Sequence, residues 1–288
     1  MKFAIFPGFG ALNSGPVFQS FKKGAEFLGH NVTEHNLDAD VFVIWSVLWN
    51  GRMAQNQEIW KIAKNSGKKI LILEVGSLIR GKTWRVGLNH INNLGFFGNN
   101  ENLDLARSKK LGIFLKNWKN RGENILICGQ HTKSEQWISR EPPEVWLKNL
   151  VTKIKTHTDR KIVFRPHPRD SMWCRNIENL GITLKIPEKI PNSYDGFDHD
   201  VDFQQAWCVI NPSSTPAVTA AIDGIPVFCD QDSLAWPVSI QNLRNIDMPQ
   251  EPERTLWLEK LCHTEWTIEE IEQGIPLSRI FDKKVDFS

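Results

Sequence analysis

Tyrosine is almost missing from this chain: one residue in 288, against 12 tryptophans and 16 phenylalanines. Tryptophan offers flat stacking surfaces to sugars and bases but is equally an ordinary core residue, so the imbalance assigns no function. No apolar run reaches the roughly 18–20 residues that cross a bilayer, and no membrane span is expected. The opening Lys2–Phe6 run carries one charge and turns straight into Pro7-Gly8, so it reads as a first β-strand, too short for a signal peptide. The cysteines Cys128, Cys174, Cys208, Cys229 and Cys262 are odd in number, scattered and without CxxC spacing. That argues against a disulfide framework or a zinc site, and for reduced thiols in a cytoplasm.

Several chemistries are missing as well. Pro7-Gly8-Phe9-Gly10 is neither a P-loop nor a complete Gly-x-Gly-x-x-Gly, and neither a Gly-x-Ser-x-Gly elbow nor an HExxH helix occurs. The acidic run Asp195-Gly196-Phe197-Asp198-His199-Asp200 lacks EF-hand spacing and reads as an irregular loop, so no metal is expected. The net charge of +2 gives the whole molecule no preference for polyanions. One stretch differs: residues 107–121 hold Arg107, Lys109, Lys110, Lys116, Lys119 and Arg121, no acid, and the aromatics Phe114 and Trp118. Two readings stay open for it, a solvated amphipathic linker helix or a surface that tracks a phosphate backbone.

What is present is alternation. Apolar strand-like runs at Lys2–Phe6, Val41–Leu48, Lys69–Val75, Asn124–Cys128, Lys161–Arg165, Trp207–Ile210 and Ile225–Cys229 are separated by helical stretches. The helices are expected at Gly15–Leu28, Met53–Ser66, Pro142–Thr156 and Pro216–Ile222. Short buried strands separated by helices imply parallel βαβ units. Gly76–Asn100 breaks the pattern and reads as a long loop, functional or disordered. From Glu253 onward the chain reads as amphipathic helix, with Thr267-x-x-Glu270 as a capping box. The expected fold class is α/β with two Rossmann-like halves facing a cleft: 1–110 for an acceptor, 111–250 for a donor, and C-terminal helices at 251–288 packing across the junction.

Ligands of such sheets bind beyond the carboxyl ends of the strands. After Lys161–Phe164 comes Arg165-Pro166-His167-Pro168-Arg169-Asp170. Prolines stiffen the backbone around one imidazole flanked by two guanidiniums, a set suited to phosphate. After Trp207–Ile210 comes Asn211-Pro212-Ser213-Ser214-Thr215-Pro216, where hydroxyls and N–H groups at a helix N-terminus can hold an anion or simply cap the helix. Gly129 and Gln130 end a third strand. Gly8, in the first loop, allows close backbone approach to a ligand. Glu74 ends a buried strand of the first half and is the candidate general base, with Asp38 and Asp40 as competitors.

The His-Pro motif, the Ser-Ser/Thr motif, the helix and the Gly224-Ile225-Pro226-Val227-Phe228 strand together resemble the C-terminal half of GT-B glycosyltransferases, over about residues 124–240. The nearest resemblance is to bacterial sialyltransferases and capsule (Kdo-type) transferases, whose His and Ser/Thr pair bind the phosphate of the sugar nucleotide. This implies donor contacts for His167, Ser213 and Ser214, joined by Arg165, Arg169, Thr215 and Gln130. A sialyltransferase Asp/Glu-Asp-Gly motif is lacking, which speaks against CMP-sialic acid. Arg80-Gly-x-x-Trp84-Arg85-x-Gly-Leu-Asn89 is similar to segments of phage-encoded glycosyltransferases and implies acceptor contacts for Arg80, Trp84, Arg85 and Asn89. The implied activity is glycosyl transfer from a UDP-sugar co-substrate, with no permanently bound cofactor. The first acceptor is a 5-hydroxymethylpyrimidine in phage double-stranded DNA, in the host cytoplasm. A capsule polysaccharide acceptor and an epimerase-like sugar-nucleotide binder are the alternatives.

Overall fold

The computed structural model describes residues 1–100, 103–119, 121–177, 180–193, 197–198 and 200–281. Asp195, Gly196 and His199 of the acidic run, and the last residues of the C-terminal stretch, lie outside the described residues. The chain forms two compact units, one of Met1–Ile113 with the chain from Glu259 on, the other of Phe114–Leu258.

In chain order the first unit contributes β1 (Lys2–Ile5), α1 (Gly15–Phe27), β2 (Asn31–Glu34), β3 (Val41–Trp45), α2 (Asn56–Asn65), β4 (Lys69–Val75), β5 (Trp84–Leu88) and α3 (Arg107–Lys110). The second contributes β6 (Asn124–Cys128), α4 (Glu135–Ile138), α5 (Pro143–Lys155), β7 (Lys161–Arg165), β8 (Thr183–Leu184), α6 (Asp200–Gln205), β9 (Ala206–Asn211), α7 (Thr215–Ile222) and β10 (Val227–Cys229). After α8 (Thr255–Cys262) the first unit is completed by β11 (Glu265–Trp266), α9 (Ile268–Glu272) and α10 (Ile275–Phe281).

The first sheet runs β11-β5-β4-β3-β1-β2, parallel from β4 to β2 and antiparallel at β5 and β11. Its central strands are apolar on both faces, as buried parallel strands must be. Phe3, Val43, Trp45, Leu71 and Leu73 face one core with α1, α9 and α10. Their neighbours in sequence, Ala4, Phe42, Ile44, Ile70 and Ile72, face another core with Ile59 and Trp60 of α2. Helix α1 buries Val17, Phe18, Phe21 and Ala25, one helical stripe. Burial of each such large side chain contributes ~1.5–3 kcal/mol. Gly24 lets α1 lie directly on α9, since a Cβ there would meet the Ile271 carbonyl oxygen.

The second sheet, β10-β9-β6-β7-β8, is wholly parallel. Ile125 and Ile127, Ile162 and Phe164, and Cys208 and Ile210 share one face with Leu147, Val151 and Ile154 of α5. All five cysteines are free thiols, and burial pushes Cys128 up to about 12, so it stays protonated.

Three sequence expectations change. Gly76–Asn100 is not a continuous loop, because β5 lies inside it and all five of its residues are buried. The basic stretch is not one helix: α3 ends at Lys110, and the described residues from there to β6 hold no regular structure. Its guanidinium at Arg107 is buried, bonds both Glu270 carboxylate oxygens at 2.5 and 2.9 Å, and stacks 4.1 Å over Trp266. Lys110 pairs with Asp104 and Lys116 with Asp223, while Trp118 donates to the Pro252 carbonyl under the Arg254 guanidinium. The C-terminal stretch is not purely helical either. The Thr267–Glu270 capping box forms as expected, but β11 precedes it and extends the first sheet.

The buried Glu265 explains how β5 tolerates an arginine. Its carboxylate accepts from Arg85 Nη2 at 2.8 Å, from Ser77 N and Oγ at 2.7 Å, and from Leu78 N and Thr83 Oγ1 at 2.9 Å. Burial pushes this carboxyl up, but Arg85 and the donors outweigh it and hold it below the usual carboxylate value. A depressed carboxyl stabilises the fold above its unfolded pKa and loses that contribution as pH falls through its folded value. Removing one partner of such a buried pair costs ~3–5 kcal/mol. Glu265→Ala should therefore lower the neutral-pH stability by that order in denaturant titrations. It should also flatten the acid limb of the stability curve below about pH 4. An unchanged acid limb would show that this pair is not what acid breaks.

Candidate functional site

In the second unit the parallel register brings three strand ends together. Cys128 pairs with Arg165 and Ile127 with Ile210, so the chain leaves β6, β7 and β9 on one edge of the sheet. The loop after β6 lies against the His-Pro loop: Gly129 N donates to the Arg165 carbonyl at 2.7 Å, and a Cβ at Gly129 would lie 3.2 Å from Pro166 Cα. Gln130 joins the other neighbour, its Oε1 accepting from Ser213 N at 3.2 Å and Ser213 Oγ at 3.1 Å. Asn211 holds the turn into α7. Its amide donates to the Cys128 carbonyl at 2.9 Å and to Ser214 Oγ at 2.8 Å, and its Oδ1 accepts from Ser214 N. Ser214 is the N-cap residue of α7 but makes no side-chain capping bond, so the positive end of the helix keeps first-turn N–H groups without intrahelical partners.

His167 is half-buried at this edge, and its Nδ1 accepts from Arg169 N at 3.2 Å. In the neutral ring this assigns the proton to Nε2. Arg169 is exposed beside it. Arg165 is not the open phosphate ligand that its sequence position suggests. It is 2% exposed and donates through Nη2 to Asp198 at 2.8 Å, because a guanidinium on a buried strand end must be neutralised from within. Asp198, part of the run read as an irregular loop, is the partner that sequence reasoning missed. Asp170 is another: it accepts from Thr132 N and Oγ1 at 2.7 and 2.6 Å and so ties the β6 loop to the His-Pro loop. Ser213 also approaches Asp232, a carboxylate raised by burial and shared with Arg140.

The first unit carries Glu74 at the end of β4. It pairs with Arg85 across β4 and β5, and Arg85 pairs with Glu265 across β5 and β11. Cross-strand partners share a face, so one guanidinium is flanked by two carboxylates. Their environments push the two apart. Glu74 is raised by burial, against the Ser46 hydroxyl, the Val75 N–H, Arg85 and Arg80, whereas Glu265 is lowered. Ser46 adopts a left-handed φ of 62° at the end of β3, a conformation a residue with Cβ rarely takes and one found at functional positions.

Of the four expected acceptor residues, Arg80 and Arg85 act on Glu74, and Trp84 and Asn89 lie apart from it. Arg80 is exposed and acts on its charge. Trp84 alternates to the opposite sheet face, in the core with α1. Arg85 is consumed by the Glu265 pair. Asn89, with φ of 66°, turns the chain at the Ile70 end of β4, about 13 Å along the strand from Glu74. Gly8 sits exposed in the turn after β1, on the first unit rather than with the other donor candidates on the second.

No protein-family model matches the sequence, and no curated protein is similar to it in sequence. In three dimensions the chain is similar to the β-Kdo 2,4-transferase of Thermosulfurimonas dismutans KpsC, with a TM-score of 0.51, 11% identity, and 96% of this chain and 98% of that one covered. For the β-Kdo 2,7-transferase of the same protein the TM-score is 0.50 and the identity 16%, over 96% and 100%. A Methanocaldococcus jannaschii UDP-GlcNAc 2-epimerase aligns over 81% of this chain and 84% of its own at 12% identity, but with a TM-score of 0.31 it bears on nothing further. With two Rossmann-like sheets and the two Kdo transferase neighbours, the fold is that of the GT-B proteins. Among the described residues no helix is long and apolar enough to cross a membrane.

A carboxyl raised by burial makes stability fall as pH rises from its unfolded to its folded pKa, the opposite sign to Glu265. At neutral pH Glu74 therefore costs the fold stability, a cost that function would explain. Glu74→Gln should raise the thermal midpoint at pH 7 and leave it unchanged at pH 4. A drop at pH 7 would mean that Glu74 is a structural anion.

Proposed function

We propose that the protein is a glycosyltransferase that takes a sugar from a nucleotide-sugar donor and passes it to an acceptor hydroxyl. The observation that carries this reading is the convergence of His167, the Gln130–Ser213 link and the open N-terminus of α7 on one carboxyl edge of a parallel sheet. Anions bind there because N–H donors and the helix dipole point outward. The GT-B fold and the His-Pro and Ser-Ser motifs support the same assignment. In the reaction the acceptor oxygen loses its proton and bonds the anomeric carbon. The bond from that carbon to the donor phosphate oxygen breaks, and the nucleotide leaves as an anion. His167 Nε2–H and the α7 N-terminus stabilise the leaving phosphate. Glu74, with its raised proton affinity, takes the acceptor proton.

The acceptor reading with the stronger support is a saccharide hydroxyl, in line with the resemblance to capsule transferases and the two Kdo transferase neighbours. The DNA reading draws on the phage-like Arg80–Asn89 segment and on the basic stretch, of whose six cations Arg107, Lys110 and Lys116 are paired within their own units.

The test is incubation with UDP-, GDP- and CMP-sugars, with an oligosaccharide panel in one arm and hydroxymethylpyrimidine DNA in the other, followed by mass analysis of products. Glycosylated oligosaccharide is expected, with turnover lost by on the order of 10²-fold or more in His167→Ala. A sugar-sized gain on the DNA base, with salt-sensitive binding, would move the acceptor to DNA. Turnover of the nucleotide-sugar without any acceptor would replace transfer by epimerase-like chemistry.

A further inference from the structure

We propose that His131 is a second phosphate-binding imidazole that works beside His167 in the donor site. His131 follows Gln130 in the loop after β6 and is only 4% exposed. Its ring centroid lies 5.0 Å from that of His167, with the planes inclined by 58°. The two residues repeat one local design. In each, Nδ1 accepts the backbone N–H two residues ahead, from Lys133 at 3.2 Å and from Arg169 at 3.2 Å. In each neutral ring the proton therefore sits on Nε2, a hydrogen-bond donor.

At His131 that donor is buried and has no hydrogen-bond partner. An unmet buried donor costs ~1–3 kcal/mol, and few native groups are left so without reason. Packing alone does not ask for an imidazole here, since an aromatic hydrocarbon would fill the same space without the penalty. The support around Nδ1 is elaborate by contrast. Asp170 Oδ2 lies 3.3 Å from it and is itself held by Thr132 N and Oγ1. Once the ring is protonated, Nδ1–H can donate to this carboxylate, so Asp170 supports positive charge on the ring when an anion meets Nε2. Burial now holds His131 below the ordinary histidine value, with Lys133 and Arg169 acting in the same direction and Asp170 against them. That buried N–H without a partner is the group a phosphate oxygen would satisfy. His131 packs against the half-buried ring of His167.

This inference rests on the donor-site reading above, and the test separates the two. UDP, GDP and CMP, with uridine, guanosine and cytidine as phosphate-free controls, are titrated calorimetrically into the wild-type protein, His131→Phe and His131→Gln. For whichever nucleotide the wild type binds, affinity should fall about tenfold or more in His131→Phe, which keeps the ring volume without the donor. His131→Gln, whose amide can replace Nε2–H, should lose less, and nucleoside binding should not change. Equal nucleotide affinity in a folded His131→Phe protein overturns the role of His131 and leaves the donor site standing. A wild type that binds none of the three nucleotides overturns both. Should His131→Phe fail to fold, nitrogen-detected imidazole NMR of the wild type decides: the His131 Nε2–H signal should shift on adding the bound nucleotide, and an unmoved signal overturns the inference.

Discussion

One guanidinium between two carboxylates governs the first unit. Arg85 lies across from Glu74 on one side and Glu265 on the other, in a strand whose residues are all buried. A cation cannot be left unpaired there, and Glu265 supplies the counter-charge at 2.8 Å. The chain must return 180 residues later to place it, so β11, α9 and α10 complete the same unit that β1 begins. Arg85 also acts on Glu74, but together with the Ser46 hydroxyl, the Val75 N–H and Arg80 it does not offset the burial, and the proton affinity of Glu74 rises. The same guanidinium thus binds Glu265 and lies across from the candidate base.

The second unit makes its site by register rather than by charge. Parallel pairing aligns the ends of β6, β7 and β9, and the loops beyond them are then joined by side chains: Gln130 to Ser213, Asn211 to Cys128, Asp170 to Thr132. These bonds use the loops' own polar groups and hold the first turn of α7 and the two imidazoles in place. Arg165, at the strand end itself, serves this framework through Asp198 and not the surface.

Burial also decides the fate of the basic stretch. Read as a string, residues 107–121 offer six cations to a polyanion. Folded, Arg107 stacks on Trp266 and chelates Glu270, and the aromatic Trp118 turns under Arg254. Arg107 alone of the six cations is buried, and the acids that pair with Arg107 and Lys116, Glu270 and Asp223, lie far away in sequence, so a window of charge does not show them.

By itself the sequence determined the elements whose signal is local. Continuous apolar runs marked β1, β3, β4, β6, β7 and β9, helical stripes marked α1 and α5, and Thr267 with Glu270 marked the start of α9. The chemistry at the strand ends was legible too, since Arg165–Asp170 and Asn211–Thr215 directly follow such runs. The tertiary structure alone decided which of those groups are available. β5 was illegible because Arg85 and Gly87 interrupt its apolar pattern, and its arginine is acceptable only with Glu265 beside it. Strand alternation sent Trp84 away from Glu74, and antiparallel pairing carried Asn89 to the other end of the sheet. Periodicity and turn chemistry act over a few residues, whereas the pairing of buried charges is set by neighbours in space, and those are known only once the chain has folded.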